Sequence, residues 1–342
     1  MKFKAVLFVT CLALLSLLNL QAEKVADFEE LGQPQGLTIG NGYIYIQERT
    51  TIFVYSLKDF KFVNKFGKEG EGPRELKLDP VGNPLGVTPY KGKVYVSSIG
   101  KLSIYSKTGE YIKEFKVKPY DGFYPLGKNY VCLTTAPLEE NSQKRVFALF
   151  LADENFKKGK ILYKSDVEVG QNAGFEFPTT PFYPDVNGAV KLFVIAGRDG
   201  FAIDVFNTDG EKLYRIKKDE KGLKIPQSYK DKTMKWFKTA PNYKQYYGYF
   251  KSRISFKDYY PPIATIIVDK DTIYVLTNKF KKEQRECILL DLEGNEKKRV
   301  YLPIPESYGM DSTFHFMFND HYLYKLEENI DDETWELYRI KI

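Results

Sequence analysis

A short strand pattern recurs six times along the chain. Each copy opens on polar or turn-forming residues and continues with alternating apolar and polar positions, as in "NGYIYI" from Asn41 and "KDTIYV" from Lys270. The other copies are "KGKVYV", "KNYVCL", "AVKLFV" and "DHYLYK", beginning at Lys91, Lys128, Ala189 and Asp320. Alternation with a period of two is typical of a β-strand with one buried face. The chain is therefore predicted to be mostly β.

A hairpin pattern follows most of these copies. "KLSIYSKTGEYIKEF" from Lys101 and "FAIDVFNTDGEKLYRI" from Phe201 read as strand, tight turn, strand, with Thr-Gly and Asp-Gly at the turns. A further short strand usually precedes each copy, as in "PLGVTPY" and "PPIATIIVD". Six units of four antiparallel strands predict a six-bladed β-propeller. A β-sandwich with accidental internal similarity is the alternative, and six copies make it the poorer interpretation.

The sixth unit is one strand short, because it ends with "TWELYRIKI". Near the N-terminus, "KVADFEEL" from Lys24 alternates like a strand and precedes the first full unit. We therefore predict that this N-terminal strand closes the last blade from outside, which removes a free sheet edge.

The first residues have the layout of a secretory signal peptide. Two lysines precede an apolar run from Ala5 to Leu18, which is too short to span a membrane stably. Cleavage after Ala22 would divide the chain into a signal peptide, 1–22, and a propeller, 23–342. The protein is predicted to be secreted or periplasmic, not membrane-spanning, and monomeric.

The three cysteines support this organisation. Cys11 lies inside the apolar run rather than at its end, which argues against a lipid-anchored protein. Cys132 and Cys287 fall in the third and fifth units, too far apart for a disulfide. They are predicted to be free, buried thiols.

The stretch "FGKEGEGPRELKLDP", from Phe66, raises the question of a phosphate-binding loop. Such a loop needs Gly-Lys-Ser/Thr leading into a helix, whereas here Gly-Pro-Arg-Glu leads towards another strand. The glycines suit a connector that needs positive φ. Arg74 and Glu75 either pair locally or face the central channel.

The same connector carries a family resemblance. Gly70, Gly72, Pro73 and Glu75 form a G-x-G-P-x-E connector after the first blade, and "YYPPIATIIVDKDTIYV" from Tyr259 looks like the start of a fifth blade. On these residues the chain resembles the secreted six-bladed β-propeller proteins of bacteria that are related to the NHL-repeat family. The resemblance covers essentially all of the mature sequence. It implies the propeller fold and export, and no single activity.

Strand alternation sorts the connections onto two faces. Connections one-to-two and three-to-four within a blade share what we call the short-loop face. Connections two-to-three and blade-to-blade share the long-loop face. Nearly every long segment falls on the latter: 66–84, 136–144, 166–184, 217–262, 278–285 and 303–313. Long loops often carry function, so a ligand is expected on that face.

The largest insertion, 217–260 between blades four and five, is basic and aromatic. It contains eleven lysines, Arg253 and four acidic residues, which gives a net charge of +8. Eleven of its residues are aromatic. It is predicted to form one or two short helices broken at Pro241. One interpretation is a solvated lysine face with aromatics packed on the rim. The other is a lid that binds anions or sugars. Predicted export argues against a nucleic-acid partner.

Enzymatic chemistry finds little support. Only His315 and His321 are present, in one blade, which excludes a three-histidine metal site, and no G-x-S-x-G motif occurs. Carboxyl and amide groups near the starts of inner strands leave a calcium site open: Gln35, Asn83, Asp121, Asp185 and Asp311. Ordinary turn chemistry is the alternative explanation for them.

The sequence thus predicts a non-catalytic extracytoplasmic binding or scaffold propeller without a cofactor. Its partner would be a glycan, a peptide or a protein, bound on the long-loop face. The candidate binding residues are Arg74, Glu75, Tyr124, Arg198, Trp236 and Tyr260. The alternative function is a calcium-assisted hydrolase of a small ester or lactone at the central channel.

Overall fold

The computed structural model describes residues 21–78, 84–118, 122–140, 142–169, 174–179, 184–187, 190–196, 200–311 and 315–342. The first element of the described residues is strand β1 (Ala22–Phe28). Three blades follow, each of four consecutive antiparallel strands: β2 (Gly36–Gly40), β3 (Tyr43–Glu48), β4 (Thr51–Ser56) and β5 (Phe62–Phe66); β6 (Gly86–Tyr90), β7 (Lys93–Ser98), β8 (Lys101–Ser106) and β9 (Tyr111–Lys116); β10 (Gly122–Leu126), β11 (Asn129–Pro137), β12 (Arg145–Ala152) and β13 (Lys158–Val169).

The second half of the chain adds three more blades and a helical connector. The short strand β14 (Phe175–Phe177) precedes the fourth blade, which comprises β15 (Asp185–Asn187), β16 (Lys191–Ile195), β17 (Phe201–Phe206) and β18 (Lys212–Lys218). The connector contains α1 (Gln227–Thr239), a 3-10 turn (Lys244–Tyr246), α2 (Tyr247–Phe250), another 3-10 turn (Lys251–Arg253) and β19 (Ile254–Phe256). Blades five and six comprise β20 (Thr265–Asp269), β21 (Thr272–Lys281), β22 (Gln284–Leu290), β23 (Glu296–Leu302), β24 (Phe316–Asn319), β25 (Tyr322–Asn329) and β26 (Thr334–Lys341).

The six sheets form a closed ring. Their innermost strands are β2, β6, β10, β15, β20 and β24; each contacts the next, and β24 contacts β2. Six apolar clusters lie one at each interface between neighbouring blades. Between blades five and six, for example, Tyr274 stacks on Phe318 with ring centroids 4.2 Å apart. The predicted six-bladed β-propeller is confirmed.

The N-terminal strand closes the ring as predicted. β1 pairs antiparallel with β26, in a register that places Ala22 opposite Ile340 and Phe28 opposite Trp335. Phe28 is buried at the interface between blades six and one. The last blade therefore contains the beginning and the end of the described chain, and β26 is covered on both sides.

Cys132 and Cys287 are free, buried thiols in blades three and five, as predicted. Burial raises the pKa of Cys287 well above its ordinary value. This keeps the group as a thiol, which is far less nucleophilic than a thiolate.

One predicted loop is wrong. The segment 278–285 is not an irregular long loop, because β21 continues to Lys281 and β22 begins at Gln284, joined by a two-residue turn. A buried hydrogen bond of 2.9 Å from Thr277 to Glu286 links the two strands at the base of this hairpin. The insertion is also slightly shorter than predicted, since Lys217 and Lys218 belong to β18.

Candidate functional site

Three blade-to-blade connectors join into one substructure on the long-loop face. We call it the cap and define it as residues 174–179, 219–264 and 303–311. Strands β14 and β19 pair in parallel, which ties the connector before blade four to the one after it. Tyr308 and Met310, from the connector before blade six, pack on the same cluster. The predicted insertion is therefore the largest part of a composite element.

The cap has an aromatic core of its own, separate from the clusters between blades. Its buried members are Phe177, Ile225, Tyr229, Phe237, Tyr243 and Tyr260. Helix α1 contributes Tyr229, Thr233 and Phe237, spaced four residues apart so that they lie on one face of the helix. The helix ends before Pro241, as predicted, since a proline forces the preceding residue out of helical geometry.

An ion-pair network fastens the start of the cap to blade five. Glu220 accepts hydrogen bonds of 2.7 Å from both Lys279 and Arg299. Arg299 also contacts the buried carboxylate of Glu286 at 3.1 Å. Burial alone would raise the pKa of Glu220, but the hydrogen bonds from Arg299 and Lys279 outweigh it and lower the pKa below its ordinary value.

A second group of hydrogen bonds joins α1, the end of the insertion and the connector before blade six. Tyr260 and Tyr308 donate to the two carboxylate oxygens of Glu306, at 2.7 and 2.8 Å, and Lys232 donates to the Tyr308 hydroxyl at 3.0 Å. Tyr260, a predicted binding residue, is only 6% exposed, and burial raises its pKa. Its hydroxyl joins the end of the insertion to the connector before blade six.

Arg285 is buried close to this group. Its side chain is 7% exposed, and its guanidinium lies over the Phe280 ring at 4.9 Å. It makes no ion pair with the residues that the structure describes. Burial lowers its pKa to about 10, so the group remains charged at neutral pH.

The outer surface of the cap is basic. Residues 232–257 include six lysines and Arg253 but no acidic residue. Lys235, Lys238, Lys244 and Lys251 are exposed and form no ion pair within the described ranges. Two tyrosines of this stretch also reach solvent: Tyr246 is 47% exposed and Tyr249 is 55% exposed. The surface thus combines uncompensated positive charge with accessible aromatic rings.

Arg74 and Glu75 organise the connector after blade one. Glu75 accepts hydrogen bonds from the Gly72 backbone N–H at 2.9 Å and from Lys68 at 2.8 Å. Any Cβ at Gly70 would collide with the Glu75 carboxylate. Arg74 adopts a positive φ of 65° and places its guanidinium 4.9 Å from the Tyr111 ring centroid. These contacts favour the connector interpretation of this stretch.

The other predicted binding residues fall in different surroundings. Trp236 is half-buried and packs on Phe237 and Tyr243, with ring centroids 5.0 and 4.9 Å apart. The cap thus brings Trp236 and Tyr260 together. Tyr124 lies on β10 and packs on the cluster between blades three and four. Arg198 is outside the described residues.

Two of the five candidate calcium ligands, Gln35 and Asp185, accept hydrogen bonds from backbone groups. Gln35 accepts a hydrogen bond from the Arg49 N–H at 2.9 Å, and Asp185 accepts from the N–H groups of Val186 and Val268. The Asp311 backbone N–H bonds to the Tyr308 carbonyl. Asn83 and Asp121 lie outside the described residues. The described part of the chain contains no group of three or more His, Cys, Asp or Glu residues that could hold a metal ion.

Both histidines lie in the sixth blade region, as predicted. His315 contacts the Pro34 carbonyl at 2.7 Å and meets the Trp335 ring edge-on. His321 occupies the tight turn between β24 and β25 with a φ of 62°. The contacts with Pro34 and Trp335 place His315 at the interface between blades six and one.

Comparison with solved structures yields likenesses of low sequence identity, including the following three. No family model and no curated protein sequence matches the chain. Hydrazine synthase from Kuenenia stuttgartiensis is 13% identical, with 86% of this chain and 74% of that chain covered, at a TM-score of 0.44. Hsv2 from Kluyveromyces lactis is 10% identical, with 93% and 98% covered, at a TM-score of 0.41. A variant of that Hsv2, with loop 6CD replaced by a Gly-Ser linker, gives 0.42. These values support no functional conclusion, and the NHL-repeat resemblance stays a prediction.

Within the described ranges, no helix is both long enough and apolar enough to cross a bilayer.

Proposed function

We propose that this protein is a non-catalytic binding propeller that presents its basic cap to an anionic partner outside the cytoplasm. The propeller fold supports a binding or scaffold role in general. The observation that carries the proposal is the uncompensated charge of Lys235, Lys238, Lys244 and Lys251. Positive charge concentrated on one element attracts anions and speeds their association.

The construction of the cap supports this role. The ion pairs of Glu220 with Lys279 and Arg299 hold the cap to blade five, whereas its aromatic core and the hydrogen bonds to Glu306 hold its three connectors together, so the surface is formed before a partner binds. A preformed surface loses less conformational entropy on binding than a mobile loop does. We therefore treat the cap as a rigid platform rather than a lid that closes over a ligand.

Export through the N-terminal segment is part of the proposal. It rests on the basic residues and apolar run at 1–22. Outside the cytoplasm the available anionic partners include acidic glycans, acidic peptides and protein surfaces. Nucleic acid is a poor candidate there.

Neutralising the four lysines tests the proposed function. We expect Lys→Gln at 235, 238, 244 and 251 to weaken binding of dextran sulfate and polyglutamate about tenfold, since four contacts of a few tenths of a kcal/mol sum to about 1.4 kcal/mol. Titration calorimetry would measure it, and binding should weaken as salt is added.

The matched control carries the same change in net charge elsewhere. Lys58, Lys61, Lys113 and Lys116 are exposed on blades one and two. Their replacement by glutamine should leave binding nearly unchanged. Equal losses in both variants, or no binding of either polymer to the unaltered protein, would overturn the proposal.

A further inference from the structure

Six residues from the end of α1, the two 3-10 turns and α2 make up what we call the tyrosine–lysine patch of the cap. Its members are Lys238, Lys244, Tyr246, Tyr249, Lys251 and Arg253. The ammonium nitrogen of Lys238 lies 5.5 Å from the ring centroid of Tyr247. The central carbon of the Arg253 guanidinium lies 4.2 Å from the ring centroid of Tyr249. The end of α1, the 3-10 turns and α2 therefore carry cationic side chains and aromatic rings close to one another.

The rings of Tyr246 and Tyr249 both pack against Phe250. Tyr246 and Tyr249 both meet Phe250 at a steep angle, with interplanar angles of 66° and 71° and centroids 6.2 and 5.5 Å away. Phe250 in turn packs on Phe175, Phe237 and Tyr243 in the cap. The tyrosine rings are thus supported by a buried framework while much of their surface faces solvent.

Tyr249 shows most directly what the patch offers. The Arg253 guanidinium covers one face of the ring at 4.2 Å, yet the residue is 55% exposed. An aromatic ring that is more than half exposed, with cationic side chains nearby, suits a flat ligand that has an apolar side and an anionic substituent. A uronic acid unit has both, because one side of its sugar ring presents C–H groups and its edge carries a carboxylate.

We propose that the tyrosine–lysine patch binds an acidic polysaccharide. This inference rests on the proposed function and narrows its partner class. Sugar rings would stack on Tyr246 and Tyr249. Their carboxylates would pair with Lys244 and Lys251, which are exposed and form no ion pair within the described ranges.

The composition of the surface favours a polysaccharide over a protein partner. Between residues 224 and 257, all of them described, Tyr246 and Tyr249 are the only large apolar or aromatic side chains that are strongly exposed. Leu223, 47% exposed, is the one strongly exposed aliphatic side chain of the described cap residues, and it alone does not provide the more apolar centre that protein interfaces usually have. The exposed lysines also differ from such centres, which are depleted in lysine.

The test compares polymers that separate charge from sugar. Polygalacturonate carries carboxylates on sugar rings, polyglutamate carries carboxylates without sugar, and dextran carries sugar without charge. Calorimetry on the purified full chain should show binding of polygalacturonate about tenfold tighter than of polyglutamate at equal carboxylate concentration, because only the former stacks on two rings. Dextran should not bind measurably. Dextran sulfate would show whether a sulfate can replace the carboxylate.

Paired variants identify the role of the rings. Tyr246→Leu with Tyr249→Leu keeps apolar contact with Phe250 but removes the flat faces, and it should weaken polygalacturonate binding about tenfold. Tyr246→Phe with Tyr249→Phe keeps the faces and should bind like the unaltered protein. Tyr259→Leu, at another exposed tyrosine of the cap, is the matched control and should also bind normally.

The results separate this inference from the proposed function. If polyglutamate binds as tightly as polygalacturonate and the leucine pair has no effect, the proposal of a polysaccharide ligand is wrong. The proposed function would then stand, with acidic peptides as the partner of the basic cap. Failure of every anionic polymer to bind would overturn both. Loss of polygalacturonate binding in the leucine pair alone, with unchanged melting temperature, would support the inference.

Discussion

Trp236 shows how a residue that suits ligand binding can serve packing instead. Its ring lies on Phe237 and Tyr243 and against Gly309, whose positive φ of 61° suits glycine. A Cβ at Gly309 would collide with the indole ring. The close approach of this backbone to the indole links α1 to the connector before blade six. These contacts favour the packing interpretation of Trp236 over a ligand-binding one.

Replacing Trp236 distinguishes the two roles. We expect Trp236→Ala to lower the free energy of unfolding by roughly 3 kcal/mol, the low end for truncating a packed tryptophan, because the ring is half-buried. Urea unfolding would measure the loss. Binding of the anionic polymers by protein that remains folded should be unchanged. A stable variant with weakened binding would restore Trp236 as a binding residue.

Asp185 carries a pH dependence. Burial at the contact between β15 and β20 raises its pKa to about 7, although Val268 and Val186 donate hydrogen bonds to it. The folded protein therefore keeps the proton to a higher pH than the unfolded chain does. This group's contribution to stability is complete below the ordinary pKa near 3.8 and is lost as pH rises towards 7.

Asp185→Asn should remove that dependence. At about 1.36 kcal/mol per pKa unit, the unaltered protein should lose up to roughly 4 kcal/mol between pH 4 and 7 through this group. The difference in unfolding free energy between the two proteins should therefore shift in favour of the variant as pH rises. Parallel pH profiles of urea unfolding for both proteins would contradict the assignment.

Strand β1 is the element on which ring closure depends. It pairs along β26, and Phe28 is buried between blades six and one. Glu23 and Lys24 also form ion pairs with Arg339 and Glu336, but these are partly exposed. Since exposed ion pairs contribute little, the ladder hydrogen bonds and Phe28 should supply most of the stabilisation.

Removing residues 23–28 should lower the melting temperature of the whole ring. The loss of Phe28 alone should cost roughly 3–5 kcal/mol, and β26 would become an unpaired edge. Thermal unfolding followed by circular dichroism would measure the effect. Glu23→Ala with Lys24→Ala, which removes only the ion pairs, is the control and should melt within a few degrees of the unaltered protein. A deletion variant as stable as this control would contradict the role of β1.

At the scale of the whole molecule, the two faces of the propeller differ in kind. The described turns on the short-loop face are tight, such as Asn41-Gly42 and Lys91-Gly92 with positive φ. Asn41 bridges to the next blade, accepting from the Gly92 N–H at 3.0 Å and donating to the Lys93 carbonyl at 2.9 Å. This face therefore holds neighbouring blades together. The opposite face carries the cap, which belongs to the connectors around blades four to six.

Net charge also differs between the insertion and the rest of the chain. The insertion at 217–260 has a net charge of +8, whereas the complete chain has +6. The rest of the chain thus has a net charge of −2, so the insertion, which forms the largest part of the cap, carries the excess positive charge. An anionic partner would be drawn to that side over distances of about 8 Å at physiological ionic strength.

The sequence by itself determined the ring. Strand periodicity, glycine turns and a missing strand in the last unit are local signals, so they predicted six blades, the closing strand and the loop-rich face. It also predicted the helix break at Pro241, because a proline acts on the residue next to it. The hairpin at 278–285 was missed, since its lysine-rich strands are held by partners such as Glu220 that lie far away in the chain.

Only the tertiary structure decided which aromatic residues are available to a ligand. Eleven aromatics lie in the insertion without a clear period, and their burial depends on connectors distant in sequence, such as Phe175 and Tyr308. Tyr260, chosen from the sequence, is enclosed there, whereas Tyr246 and Tyr249 face solvent. An aromatic side chain is equally suited to a core and to a binding surface. The difference lies in the neighbours that remove it from water, and those are set when the three connectors pack together.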